Sequence, residues 1–201
     1  LIRLYRVIHL FDQDVIVENF RNMDSIFGFR SVHKADQATK FETDPQPLPT
    51  SFIYSGQEID LQQFLKDQYT TGIMIIKDNK VTFEEYWLGN DEKSQVISWS
   101  TSKSIISALI GIAIEEGLIK DVHDPVTKYV PSLKGTGYDK VPIRHVLQMS
   151  SGIQFTENYG DFNSDINRLG RLLALNTSID EFVASLKSIR KPGTYNQYIS
   201  T

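Results

Sequence analysis

At 201 residues and 40% hydrophobic content, the chain can bury a proper core and hold one large domain or two small ones. Its 21 basic and 25 acidic residues leave a net charge of −4, so there is no whole-chain electrostatic reason to bind nucleic acid. The absence of cysteine excludes disulfides, thiolate metal sites and a cysteine nucleophile, and His9, His33, His123 and His145 lack close ligand spacing, so no metal or organic cofactor is expected.

The chain begins at Leu1 rather than methionine, and Leu1 to Phe11 is apolar but interrupted by Arg3 and Arg6. That segment is too short and too charged to span a bilayer, so no stable membrane span is expected. It reads either as the juxtamembrane remnant of a removed signal or anchor or as an amphipathic first helix. The former favours a periplasmic or membrane-anchored location over a cytoplasmic one. An N-terminal arm runs to about Phe41 and meets a stiff connector, in which Pro45, Pro47 and Pro49 alternate with other residues. We therefore divide the chain into an arm and connector over 1–50 and a body over 51–201.

In the body, Asp60 caps a predicted helix with Leu61, Phe64, Leu65 and Gln68 at helical spacing. A β-hairpin is predicted over 73–87, with Asp78-Asn79 as a two-residue turn whose residue types tolerate positive φ. Its first strand is apolar on both sides and its second alternates, the pattern of an antiparallel sheet with helices packed against it. Next comes Ser100-Thr101-Ser102-Lys103, at the mouth of a long apolar segment from Ile105 to Ile114. The spacing predicts a nucleophile helix over 100–116, ended by Gly117 in a left-handed cap. Apolar residues fall almost all round it, which predicts a buried central helix.

The Ser-x-x-Lys spacing also occurs at Ser31–Lys34 and Ser188–Lys191, so context has to separate the three. Only at Ser100 does the pattern open a long helix. A lysine three residues on lies one turn along the same face, within reach of the serine Oγ. The helix's first-turn N–H groups and its dipole favour an oxyanion there, and a lysine drawn partly out of water serves as proton acceptor. The alternative is that Ser98 or Ser100 is an N-cap and Lys103 a solvated first-turn charge.

Beyond this helix the chain reads as a mostly helical, loop-rich subdomain over 120–201. Asp124-Pro125 and Val130-Pro131 break it, and Lys134-Gly135-Thr136-Gly137 reads as a turn. Pro142 opens a short helix that Ser150-Ser151-Gly152 ends. Ser178 to Glu181 has the form of a capping box, with Phe182, Val183, Leu186 and Ile189 expected on the buried face. Lys187, Arg190 and Lys191 suit that helix's C-terminus. A Pro192-Gly193 turn then delivers Tyr195 and Tyr198. Either tyrosine, held near a lysine, can pass a proton between a serine and a leaving group, while the bland role for both is to fill a loop.

In order and spacing, these segments resemble the serine β-lactamase and penicillin-binding-protein superfamily, in its class C β-lactamase-like branch of esterases, D-amino-acid peptidases and aminohexanoate-oligomer hydrolases. The resemblance runs from about Gly72 to the last residue. It rests on the hairpin, Ser98 to Lys103, Asp124 to Pro131, Ile143 to Gly152, and Pro192-Gly193-Thr194. It implies an α+β fold of the α/β sandwich type, of which this chain carries the N-terminal part. Ser100 matches the acylated nucleophile and Lys103 its lysine partner. Tyr198, six residues after Pro192, matches the tyrosine of a Tyr-x-Asn motif, whereas Ser200 stands where that motif has asparagine and would orient lysine and substrate with a shorter group.

A third, strand-borne motif has no counterpart before Thr201, so the resemblance implies that a C-terminal remainder of the fold comes from the same or another chain. The implied activity is that of a serine hydrolase acting on a small ester, amide or peptide-like substrate through an acyl-serine. The alternatives are a β-lactamase or D-amino-acid peptidase on cell-wall-like substrates, or a catalytically silent ligand-binding module.

Overall fold

The computed structural model describes residues 2–175 and 177–200. The chain divides into two compact units, Tyr5–Ile97, and Ser98–Thr201 together with Leu1–Leu4. Helix α1 (Ile2–Ile8) opens the chain.

In the unit Tyr5–Ile97, α2 (Ile16–Arg21) is followed by a 3-10 turn at Met23–Ser25, and Leu10 and Ile26 are buried. The proline connector is part of the sheet rather than a free spacer. Strand β1 (Glu42–Thr43) begins it, and the N–H groups of Asp44 and Gln46 donate to the carbonyls of Val81 and Thr82 at 2.9 and 2.7 Å. Pro45 falls between these donors and Pro47 directly after them, at alternate positions where a missing N–H costs no ladder bond. Strands β2 (Ser51–Tyr54) and β3 (Gln57–Asp60) form a separate antiparallel hairpin. The Asp60 carboxylate ends β3 and caps α3 (Leu61–Asp67) by accepting from the Gln63 N–H at 2.7 Å. Phe64 of α3 meets Phe52 of β2 edge to face, with ring centroids 5.4 Å apart.

Strands β4 (Gly72–Lys77) and β5 (Lys80–Tyr86) make the expected antiparallel hairpin, to which β1 adds in parallel. Asp78 and Asn79 both stand at positive φ, 50° and 60°, as the two-residue turn requires. The register slips between Ile75 and Ile76, and Thr82, on β5 opposite the slip, is buried with its Oγ1 donating to the Ile75 carbonyl.

In the unit Ser98–Thr201, a 3-10 turn (Trp99–Thr101) leads into α4 (Ser102–Glu115), and Gly117 at φ 73° ends the helix in the left-handed cap read from the sequence. Two further 3-10 turns, Val126–Lys128 and Pro131–Leu133, occupy the proline-broken stretch. The Asp124 carboxylate ties it together, accepting from Lys128 Nζ at 2.7 Å and Tyr129 OH at 2.6 Å. Then come α5 (Ile143–Leu147), α6 (Asp165–Ala174) and α7 (Ile179–Ser185). Ser178 caps α7 by accepting from the Glu181 N–H at 3.2 Å. Tyr138, Ile153, Phe155, Phe182, Leu186 and Ile199 form the core, against which Ile166, Leu169 and Leu172 of α6 pack. Gly137 is required there, since a Cβ would lie 2.5 Å from the Leu186 carbonyl oxygen.

Three expectations need correction. Helix α4 is not buried: Ile105, Ile106, Leu109 and Ile112 are 52–59% exposed and none of its residues is buried. Apolar composition all round a helix states what it needs as neighbours, and within this unit these four side chains remain more than half exposed. Ile189 is 56% exposed because α7 ends at Ser185 and Leu186 turns extended. For the same reason Lys187, Arg190 and Lys191 lie beyond α7 and do not decorate its last turn.

Candidate active site

The turn before α4 carries the site. Trp99 holds a left-handed backbone at φ 46°, a conformation uncommon outside glycine, immediately ahead of Ser100. Such a cost, of order 1–3 kcal/mol, persists where surrounding structure imposes it, and it is concentrated at functional sites. The capping alternative does not hold: Thr101 occupies the cap position of α4, no side-chain cap bond forms there or at Ser98, and Ser102 Oγ donates to the Trp99 carbonyl at 2.8 Å. Ser100 is left exposed, with Lys103 half-buried one turn on. Lys103 Nζ donates to Ser100 Oγ at 3.0 Å.

Tyr198 arrives from the other end of the same unit. Lys103 Nζ stands 5.2 Å from its ring centroid. Tyr195 is drawn elsewhere, with the Arg190 guanidinium 4.3 Å from its ring centroid. The structure thus brings Ser100, Lys103 and Tyr198 together and keeps Tyr195 apart. Ser200 follows the buried Ile199 and is half-buried itself. Among the described residues no hydrogen bond links Ser200 to Ser100, Lys103 or Tyr198.

Two features are not readable from residue type and spacing. The Trp99 strain is one, because tryptophan carries no signature of positive φ. The other is Tyr159, whose phenol is held above its ordinary value by partial desolvation and then by the electrostatic influence of Glu157 and Tyr198. One Glu157 carboxylate oxygen there is buried without a hydrogen-bond partner. Among the described residues no group of three His, Asp or Glu is placed to hold a metal ion, and no helix is long and apolar enough to cross a membrane.

The chain belongs to the Beta-lactamase family, whose model matches residues 61–201. It is 29% identical over 188 residues to the 6-aminohexanoate-dimer hydrolase of Paenarthrobacter ureafaciens, a match covering 90% of this chain and 46% of that protein. A shorter match, 26% identical over 95 residues, covers 42% of this chain and 26% of the Beta-lactamase of Pseudomonas fluorescens. The fold is also that of a Bacillus anthracis protein provisionally assigned as a 6-aminohexanoate-dimer hydrolase, with a TM-score of 0.80 at 19% identity over 94% of this chain and 52% of that one. The chain therefore spans about half the length of these two hydrolase relatives, and its mixed α+β architecture is that of the matching part of the solved structure.

Proposed function

We propose that the intact protein is a serine hydrolase that cleaves an amide or ester through an acyl-serine. The observation that carries this reading is the 3.0 Å hydrogen bond between Lys103 Nζ and Ser100 Oγ, with Tyr198 against the same nitrogen. Ser100 Oγ attacks the substrate carbonyl carbon. Its proton passes to the Lys103–Tyr198 pair and from there to the departing nitrogen or oxygen as the acyl bond breaks. The Ser100 N–H, in the 3-10 turn that leads into α4, forms half of an oxyanion hole. Water then attacks the acyl-serine with the same groups in reverse, regenerating Ser100 and releasing the acid.

Linear amides or esters are preferred over β-lactams in this reading. The match to the dimer hydrolase spans most of the chain and the match to the β-lactamase under half of it, and Ser200 replaces the family's asparagine. A C-terminal remainder of the fold, from the same or another chain, covers the outer face of α4 and supplies the far wall of the site. The exposed Ile105, Ile106, Leu109 and Ile112 and the half-length coverage support this.

The test is covalent. A fluorophosphonate should add its mass to the peptide carrying Ser100, and a chromogenic short-chain ester should turn over in a Ser100-dependent way. A protein that neither labels nor turns over is not a serine hydrolase, and the silent binding module then replaces this reading. Comparing linear amide, ester and β-lactam substrates separates the enzymatic alternatives.

A further inference from the structure

Tyr198 lies on an extended strap, and the way this strap is held can be traced atom by atom. Just past α5, Met149 turns left-handed at φ 54°, so no further helical turn follows the carbonyls at this end. Such carbonyls lack intrahelical donors. Here the strap supplies them: Gly193 N–H donates to the Ser150 carbonyl and Gln197 N–H to the Met149 carbonyl, both at 2.8 Å. The Gln197 amide donates further to the Phe155 carbonyl at 3.0 Å, and Ile199 is 3% exposed in the core. Residues on both sides of Tyr198 are therefore anchored, while Tyr198 itself stays 55% exposed beside Lys103.

One side chain underlies this arrangement. The His145 ring, from α5, lies against Gly193 so closely that a Cβ on that glycine would fall 2.5 Å from Cε1 and 2.9 Å from Nε2. Its Nδ1 shares a hydrogen bond of 3.1 Å with the hydroxyl of Ser150, and Ser150 is 3% exposed. The Ser150 N–H returns to the His145 carbonyl at 2.8 Å. The ring thus supports the strap at Gly193 while its nitrogen steadies the residue whose carbonyl binds the Gly193 N–H.

We infer that His145, with Ser150, is a positioning latch for Tyr198, setting the phenol's place beside Lys103 through the Pro192–Gln197 strap. The catalytic half of this inference rests on the serine hydrolase reading above. A displacement of about 1 Å at a reacting group can cost on the order of a hundredfold in rate. Fluorophosphonate labelling of Ser100 in the unaltered protein decides the hydrolase reading first and independently.

The latch is tested in the intact protein with His145→Ala, His145→Phe, which keeps the ring surface, His145→Asn, which keeps a donor near the Nδ1 position, and Ser150→Ala. His145→Ala is expected to lower kcat by about tenfold to a hundredfold with KM within about twofold. In a Tyr198→Phe background the same change should cost less than about threefold, because the group it positions is gone. His145→Phe and His145→Asn should each restore part of the loss. Hydrogen exchange at the Gly193 and Gln197 amides should rise at least about tenfold, with Phe182 and Leu186 unchanged. Unaltered exchange at Gly193 and Gln197 overturns the latch whatever the kinetics, and requires no turnover to be read. Equal losses with and without the Tyr198 hydroxyl overturn it as well, since a purely structural role would produce them.

Discussion

The two halves of the candidate site are held in opposite ways. Tyr198 sits on a strap clamped between the end of α5 and a closed core, flanked by the anchored Gln197 and the buried Ile199. Ser100 sits in the 3-10 turn that leads into α4 and Lys103 on the first turn of α4 itself, a helix whose Ile105, Ile106, Leu109 and Ile112 are more than half exposed. The difference teaches where placement comes from. A serine and lysine three residues apart on a helix need only the helix to meet, whereas a tyrosine 95 residues away in sequence needs a built support.

Breaking the chemistry should give the largest effect. Ser100→Ala should abolish fluorophosphonate labelling and reduce ester turnover by at least about a thousandfold. Lys103→Ala and Tyr198→Phe should each lower kcat by about 10²–10⁴-fold, and the double variant should cost little more than the worse single one if the pair moves one proton. Full additivity would separate the two halves functionally as well as structurally.

The packing contrast comes next. Phe155→Ala, at a side chain 1% exposed and edge to face with Phe182, should cost about 3–5 kcal/mol in urea unfolding. In the 201-residue chain alone, Leu109→Ala should cost under about 1 kcal/mol, because Leu109 is 52% exposed. In the intact protein the same change should cost about 2–3 kcal/mol if the remainder of the fold covers α4. Equal costs in the two would remove that cover from the proposal.

The smallest effect concerns the stretch between the two halves. Lys128 and then Tyr129, hydrogen-bonded to Asp124, hold its carboxyl below the ordinary aspartate value. A depressed folded-state pKa contributes stability above the unfolded value, near 3.9, which is lost as pH falls through the folded one. Asp124→Asn should therefore be less stable than the parent at neutral pH, with the gap closing below about pH 4 in acid titrations of the unfolding midpoint. A gap that persists at low pH would assign Asp124 a role other than its charge.

Much of the local structure was legible because short-range chemistry dictates it. Asp60 and Ser178 accept from N–H groups three residues on, Asp78-Asn79 takes the positive φ pair, and Gly117 closes α4. Helix α6 carries no such local mark, since its apolar residues are interleaved with Asn167, Arg168 and Arg171 and meet a core assembled from distant segments. The basic residues beyond Ser185 imitate a helix C-terminus that α7 does not reach. Capping propensity marks where a helix starts more sharply than charge marks where it stops.

By itself, the sequence determined the Ser100–Lys103 pair, the family segments around it and the presence of two tyrosines after a Pro-Gly turn. Residue type left Tyr195 and Tyr198 equivalent, and only the resemblance favoured one. The tertiary structure decided which of them lies beside Lys103, through Arg190 drawing Tyr195 away and the anchoring of Gln197 and Ile199. It also decided the left-handed Trp99 and the uncovered faces of α4. Spacing along a helix is set by bonds between near neighbours, but the contacts that aim a side chain or cover a face are made by residues far apart in the chain.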